Sequence, residues 1–130
     1  KMKINIIRIA ILFAISSIIL GAFGAHGLKE HLTSVQLNSF LTGIRYQMYH
    51  SLALLLFTFN HEKFNKYLNY GLWIMIVGII LFSFSIYLLS TQNLTGLNTV
   101  FLGPVTPVGG LFLTFSWIII LFSIKNKEYN

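Results

Sequence analysis

Tyr67–Ile124 reads YLNYGLWIMIVGIILFSFSIYLLSTQNLTGLNTVFLGPVTPVGGLFLTFSWIIILFSI, a run of 58 residues without a formal charge. A helix crosses a bilayer with about 20 mostly apolar residues. Two such helices fit in the run, with a polar connection at Ser90–Asn93 and Thr95–Asn98 between them. Working outward, Ile9–Leu28 is also free of charge, with Arg8 at its edge able to snorkel out. Leu52–Phe59 is strongly apolar but short, and becomes long enough only by taking in Arg45, Tyr46, Gln47, Tyr49 and His50. The expected fold is therefore all-α. It is a single-domain integral membrane four-helix bundle with spans at about 6–26, 40–60, 67–89 and 103–124. Thr33–Phe40 reads as a short interfacial helix or an extension of the second span, with Thr33 or Ser34 as N-cap.

Composition agrees. Of 130 residues, 55% are hydrophobic and 9% charged, and mean hydropathy is +0.75. A soluble domain carries about 25% charged residues, so a soluble globular domain, a disordered tail and a nucleic-acid-binding module are excluded. There is no cysteine, hence no disulfide, thiolate zinc site, cysteine nucleophile or lipoprotein anchor. Lys1 ahead of Met2 reads as an addition to a native start.

The net charge of +6 is a topology signal. Lys1, Lys3, Arg8, Lys63, Lys66, Lys125 and Lys127 fall on one side of the expected spans, and Lys29 on the other. Cytoplasmic segments carry the excess of Lys and Arg, so both termini are expected in the cytoplasm and the protein in the plasma membrane. The competing reading of span one is a cleaved signal peptide, with small residues at Ala22 and Gly24.

Close helix approach in lipid uses small residues. Ala10, Ala14, Ser17, Gly21 and Gly24 form such a seam on span one. Gly71, Gly78 and Ser85, seven apart, share a face of span three. Tyr67, Tyr70 and Trp73 suit an interfacial aromatic belt.

The unusual residues gather in the outer halves of the spans. At about 100° per residue, Arg45, Tyr49, Tyr46 and His50 share one arc, with Gln47 just beyond it. Polar groups facing lipid are expensive, so this arc is expected to face the bundle interior or water. The alternative is that Arg45 snorkels to the headgroups and the tyrosines anchor. Gly103–Gly110 contains both prolines, Pro104 and Pro107, ahead of Gly109 and Gly110. It reads either as irregular backbone dipping into the membrane, able to hold an anion on free N–H groups, or as a turn with Pro107 in the first helical turn. His26 and His31 lack the i, i+4 spacing of a helical zinc pair, and Glu30, Glu62 and Glu128 sit in loops or tail. No metal, cofactor or catalytic residue is expected, and no nucleophile–base–orienter set is readable.

GAFGAHGLKEHL, TGIRYQMYHSLALL, GIILFSFSIYLL and GPVTPVGGLFLTFSW, in this order across Gly21–Trp117, resemble the bacterial membrane-protein family called domain of unknown function 423 (YgdD/YwdK-like). The resemblance implies a small four-helix membrane protein and no established activity. By position, its signature residues fall on Gly24, His26, Gly27, Tyr46, Gln47, Tyr49, His50, Ser83, Ser85, Tyr87, Gly103, Pro104, Thr106, Pro107, Gly109 and Gly110. Phe84 and Ser116 stand where the family often has glycine.

The expected function is binding of a lipid, quinone-like amphiphile or small anion in a polar pocket in the outer half of the bundle. Arg45 would supply charge, Gln47 and His50 hydrogen bonds, and Tyr46 and Tyr49 a wall. His26, Ser83, Ser85, Tyr87, Pro104, Thr106, Pro107, Gly109 and Gly110 complete the candidate ligand-binding set. The alternatives are an oligomeric transporter or channel, a membrane enzyme, and a scaffold for a partner protein. The expected partners are the bilayer, such a ligand, and other copies of the chain in the oligomeric case, with nucleic acid excluded.

Overall fold

In the computed structural model, residues 2–125 are described. Lys1 and residues 126–130, with Lys127 and Glu128, lie outside the described residues. The chain is all-helical, and the described residues contain no β-strand. The first helix, α1, spans Met2–Leu28, and α2 spans Ser34–Phe59. Leu68–Thr95 forms α3, and Val105–Phe122 forms α4 after a short 3-10 turn at Val100–Leu102. Three stretches, Met2–Leu28, Leu68–Thr95 and Val100–Phe122, are long and apolar enough to cross a membrane. The 26-residue α2 is as long, but carries Arg45 and a mixed polar sequence.

The amphipathic pattern is inverted relative to a soluble bundle. On α1, Ile11, Leu12, Ile15, Ile18 and Ile19 face outward, while Ala10 and Ser17 are buried. On α4, Leu111, Phe115, Ile118 and Leu121 are exposed, and Leu113, Ser116 and Ile120 are buried. A helix this apolar on its outer face has no reason to turn that face inward when lipid is the solvent. Packing and hydrogen bonds then decide which side meets its neighbours.

Thr33 opens α2 with a capping box. Its Oγ1 accepts from the Gln36 N–H at 3.2 Å, and its own N–H donates to Gln36 Oε1 at 3.0 Å. Thr33–Phe40 is thus an extension of the second helix rather than a separate one. Thr33→Ala should cost about 1 kcal/mol, read as roughly fivefold faster amide exchange across Val35–Leu37. Unchanged exchange there would mean that packing alone holds the helix start.

Gly71, Gly78 and Ser85 all face α4, as their common spacing requires. A Cβ on Gly71 would lie 2.8 Å from Ile120, and one on Gly78 2.8 Å from Leu113. The Ser85 hydroxyl bonds the Thr106 hydroxyl at 2.7 Å. Each step of seven along α3 is matched by a step of seven back along α4, which is antiparallel heptad packing. The hairpin turns at Gly96, whose φ of 68° is left-handed and suits glycine. Its N–H caps the Gln92 carbonyl at 2.9 Å.

Two wide π turns interrupt the helices, at Gly24–Leu28 and at Ile80–Phe84. The second is where α4 comes closest. A Cβ on Gly109 would strike the backbone of Phe82 and Leu81. At the opposite end a single antiparallel bridge pairs Phe64 with Ile124. There the Asn65 N–H donates to the Ser123 carbonyl at 2.7 Å, and the Lys125 N–H to the Lys63 carbonyl at 3.0 Å.

Candidate functional site

A group of buried polar residues meets at the middle of the bundle. Gln47, midway along α2, has no exposed surface. Its Nε2 donates to the Phe13 carbonyl at 2.9 Å and to Ser16 Oγ at 2.7 Å, both on α1. Its Oε1 accepts from the Tyr87 hydroxyl of α3 at 2.9 Å. One side chain therefore ties three helices together and uses both of its amide hydrogens. Beside it, Ser83 Oγ donates to the Gly43 carbonyl at 2.8 Å. Gly43 permits this approach, since a Cβ there would lie 2.7 Å from the Tyr87 ring.

His50 sits one turn further along α2, on the same side of the helix. It is 8% exposed. Its Nδ1 lies 2.7 Å from the Tyr46 carbonyl, and its Nε2 accepts from the Trp117 indole N–H at 3.1 Å. An indole can only donate and a carbonyl can only accept, so this geometry selects the neutral ring with its proton on Nδ1. The Ser51 hydroxyl nearby is buried with no hydrogen-bond partner among the described residues.

Several candidate residues stay outside this network. Arg45 and Tyr49 are exposed on the far face of α2, and Tyr46 is exposed with its ring 4.7 Å from Phe82. The Arg45 guanidinium folds back toward the helix start, donating to Thr42 Oγ1 at 2.9 Å and Asn38 Oδ1 at 3.3 Å. His26, Pro104 and Pro107 are exposed as well. Helix α4 begins at Val105, ahead of Pro107, so the Gly103–Gly110 run is a helix start rather than a re-entrant loop. Gly109 is buried against Phe82, and Gly110 lies beside the Phe82 ring. The expected arc is rotated because Gly43, not the charge, sets which side of α2 faces α3. Gly43 and Gln47 are four apart and share that side.

Sequence reasoning had not singled out Ser16, the Phe13 carbonyl, Gly43 or Trp117. Gly43 had a signal, its i, i+4 relation to Gln47. Trp117 had none short of the fold. Ser116 is fully buried, with its hydroxyl folded onto the Leu113 carbonyl at 2.6 Å. Phe84 is turned outward, 5.7 Å from the Tyr87 ring.

A cleft of about 220 Å³ opens between the start of α2 and the end of α3, lined by Val35, Gln36, Ser39, Ile86, Leu89 and Ser90. The pocket of a drug-sized ligand is about 300–1,000 Å³, so this cleft suits one chain or one small head. At about 100° per residue, Val35 and Ser39 stand next to Asn38 and Thr42. The Arg45 guanidinium, held at Asn38 and Thr42, lies on the neighbouring face of α2, outside the cleft lining.

A family profile described as "Protein of unknown function (DUF423)" matches residues 20–110. UPF0382 membrane protein YwdK of Bacillus subtilis (strain 168) is 39% identical over 122 residues, covering 92% of this chain and 94% of its own. UPF0382 membrane protein SAB0533 of Staphylococcus aureus (strain bovine RF122 / ET3-1) is 36% identical, covering 94% and 95%. A UPF0382 membrane protein of Haemophilus influenzae (strain ATCC 51907 / DSM 11121 / KW20 / Rd) is 32% identical, covering 98% and 99%. No solved structure matches. The profile takes in Gln47, His50, Ser83 and Tyr87 of the polar centre, the α3 seam and the start of α4, and the relatives run nearly end to end with the chain, which belongs to the DUF423 (UPF0382) family of membrane proteins.

Proposed function

We propose that the protein is a four-span membrane bundle with both termini in the cytoplasm, and that it holds one amphiphile in the cleft between α2 and α3. At 1.5 Å per residue α2 is about 39 Å long, enough for the roughly 30 Å hydrocarbon core. Its one charge, Arg45, snorkels along Thr42 and Asn38 toward the helix start. Lys3, Arg8, Lys63, Lys66 and Lys125 gather at the end closed by the Phe64–Ile124 bridge, and Lys29 at the other. The positive-inside rule puts the first end in the cytoplasm.

The observation that carries the binding reading is the cleft at the outer end, whose lining brings apolar and hydroxyl side chains together. Ile86 and Leu89 suit a chain, Ser39 and Ser90 can bond a polar head, and Arg45 suits an anionic one. Gln47 and Ser83 have no exposed surface and act as struts for the helices that form the cleft.

Native mass spectrometry of the protein in mild detergent tests this. The wild type should carry one discrete added mass. Ser39→Trp, which fills the cleft from an exposed position, should remove it, and Arg45→Ala should lower its occupancy about tenfold. A bare wild type, or an added mass that survives both substitutions, rejects the reading.

A further inference from the structure

At the opposite end a second depression, of about 280 Å³, is lined by Met2, Lys66, Asn69, Tyr70 and Trp73. Four of these side chains carry hydrogen-bond donors: an ammonium, an amide N–H₂, a phenol and an indole N–H. Asn69, Tyr70 and Trp73 stand at the spacing that stacks side chains along one helix face, and Lys66 lies in the turn just before α3. The fifth residue, Met2, brings α1 to the other wall.

The surrounding charge is one-sided. Lys3, Arg8, Lys63 and Lys125 lie at the same end. Among the described residues the one carboxylate there is Glu62, which lies 3.6 Å from His61. Lys66 Nζ rests 5.6 Å from the centroid of the Tyr67 ring, and Tyr67 and Tyr70 stand together at 6.4 Å. Aromatic rings of this kind sit at headgroup level.

We propose that this depression is a seat for the phosphate of an anionic phospholipid from the bilayer. Lys66 supplies the charge and Asn69, Tyr70 and Trp73 the further donors, while Met2 and the Trp73 ring cover the first carbons of a chain. A zwitterionic lipid has the same phosphate, but its cationic head would face a cluster of lysines among which Glu62 is the one carboxylate of the described residues. An anionic lipid meets them with the matching sign. The proposal does not depend on the outer cleft or its ligand.

Trp73 can report on its own seat. The chain has two tryptophans, so Trp117→Phe leaves Trp73 as the sole tryptophan, excited selectively at the red edge of the aromatic band. In vesicles mixing phosphatidylcholine with brominated phosphatidylglycerol or brominated phosphatidylcholine, the exchange constant at Trp73 should favour phosphatidylglycerol about fivefold. Lys66→Gln should bring it close to one. Lys125→Gln, whose ammonium is spent on the Glu62 carbonyl at 3.0 Å, should keep most of the preference. Equal quenching by both brominated lipids overturns the proposal. So does an equal loss in both lysine variants, which would mark diffuse surface charge. If Trp117→Phe does not fold, the wild type, Lys66→Gln and Lys125→Gln are compared by the lipids retained from equimolar phosphatidylglycerol and phosphatidylcholine nanodiscs. Only the wild type and Lys125→Gln should retain phosphatidylglycerol selectively, and any other pattern overturns the proposal.

Discussion

Gly109→Ala should be the most damaging single-methyl change in the chain. The added Cβ would meet the backbone of Phe82 and Leu81, with the Phe82 Cα at 2.7 Å and the Leu81 carbonyl carbon at 2.8 Å. Backbone cannot swing aside as a side chain does, so α4 must move away from α3 along its length. Overpacking costs about 1–3 kcal/mol and sometimes more, and this site belongs at or above the top of that range. Gly78→Ala should follow, since its Cβ would lie 2.9 Å from the Leu113 backbone nitrogen. Gly24→Ala meets only side chains, the Phe40 ring at 3.2 Å and Leu41 at 3.6 Å, and Gly21→Ala only Ile44, at 3.9 Å. The last should fall within about 0.5 kcal/mol of wild type. Reversible unfolding against SDS mole fraction gives the order directly. If Gly109→Ala and Gly21→Ala unfolded at the same midpoint, the close approach of α4 to the π turn would be wrong.

The second large effect belongs to Gln47. Gln47→Ala removes three interhelical hydrogen bonds and leaves the Tyr87 hydroxyl, Ser16 Oγ and the Phe13 carbonyl without it. Interhelical bonds in membranes average about 0.6 kcal/mol and reach about 1.7. The cavity left by the side chain adds to the loss, so about 3 kcal/mol is expected. Tyr87→Phe alone should cost about 1 kcal/mol. A double-mutant cycle separates bond from cavity: Gln47 and Tyr87 should couple by roughly 0.6–1.7 kcal/mol. Strict additivity would show that the hydroxyl–amide contact contributes nothing.

Much of the helix layout was legible because charge and length act locally. The 58-residue uncharged run contains α3 and α4, and Gly71, Gly78 and Ser85 mark the face of α3 that meets α4. The cap of α2 was legible as Thr33 or Ser34, and the capping box with Gln36 settles it on Thr33. The polar centre was legible as a set of residues but not as a network. Gln47, Ser83 and Tyr87 were all marked, yet their partners include a backbone carbonyl at Phe13 and a plain serine at Ser16, which no pattern distinguishes. The facing of α2 was harder still. Arg45 and Gln47 both argue for burial by polarity. Arg45 satisfies itself along its own helix through Thr42 and Asn38, whereas a glutamine at mid-span has too short a reach to do so. The π turn at Ile80–Phe84 has no composition of its own, and it emerges only with Gly109 lying against Phe82.

The bridge between Phe64 and Ile124 also bears on connectivity. It fastens the entry of α3 to the exit of α4, so the second half of the chain is a ring closed by main-chain hydrogen bonds, while the first half is an open hairpin. The entropy of bringing those two ends together is spent within that half alone. A covalent cut at Asn60 or His61 would therefore divide the protein into two pieces that each retain a helical pair. Gln47 with Tyr87, Ser83 with Gly43, and His50 with Trp117 would remain among the terms by which one piece recognises the other.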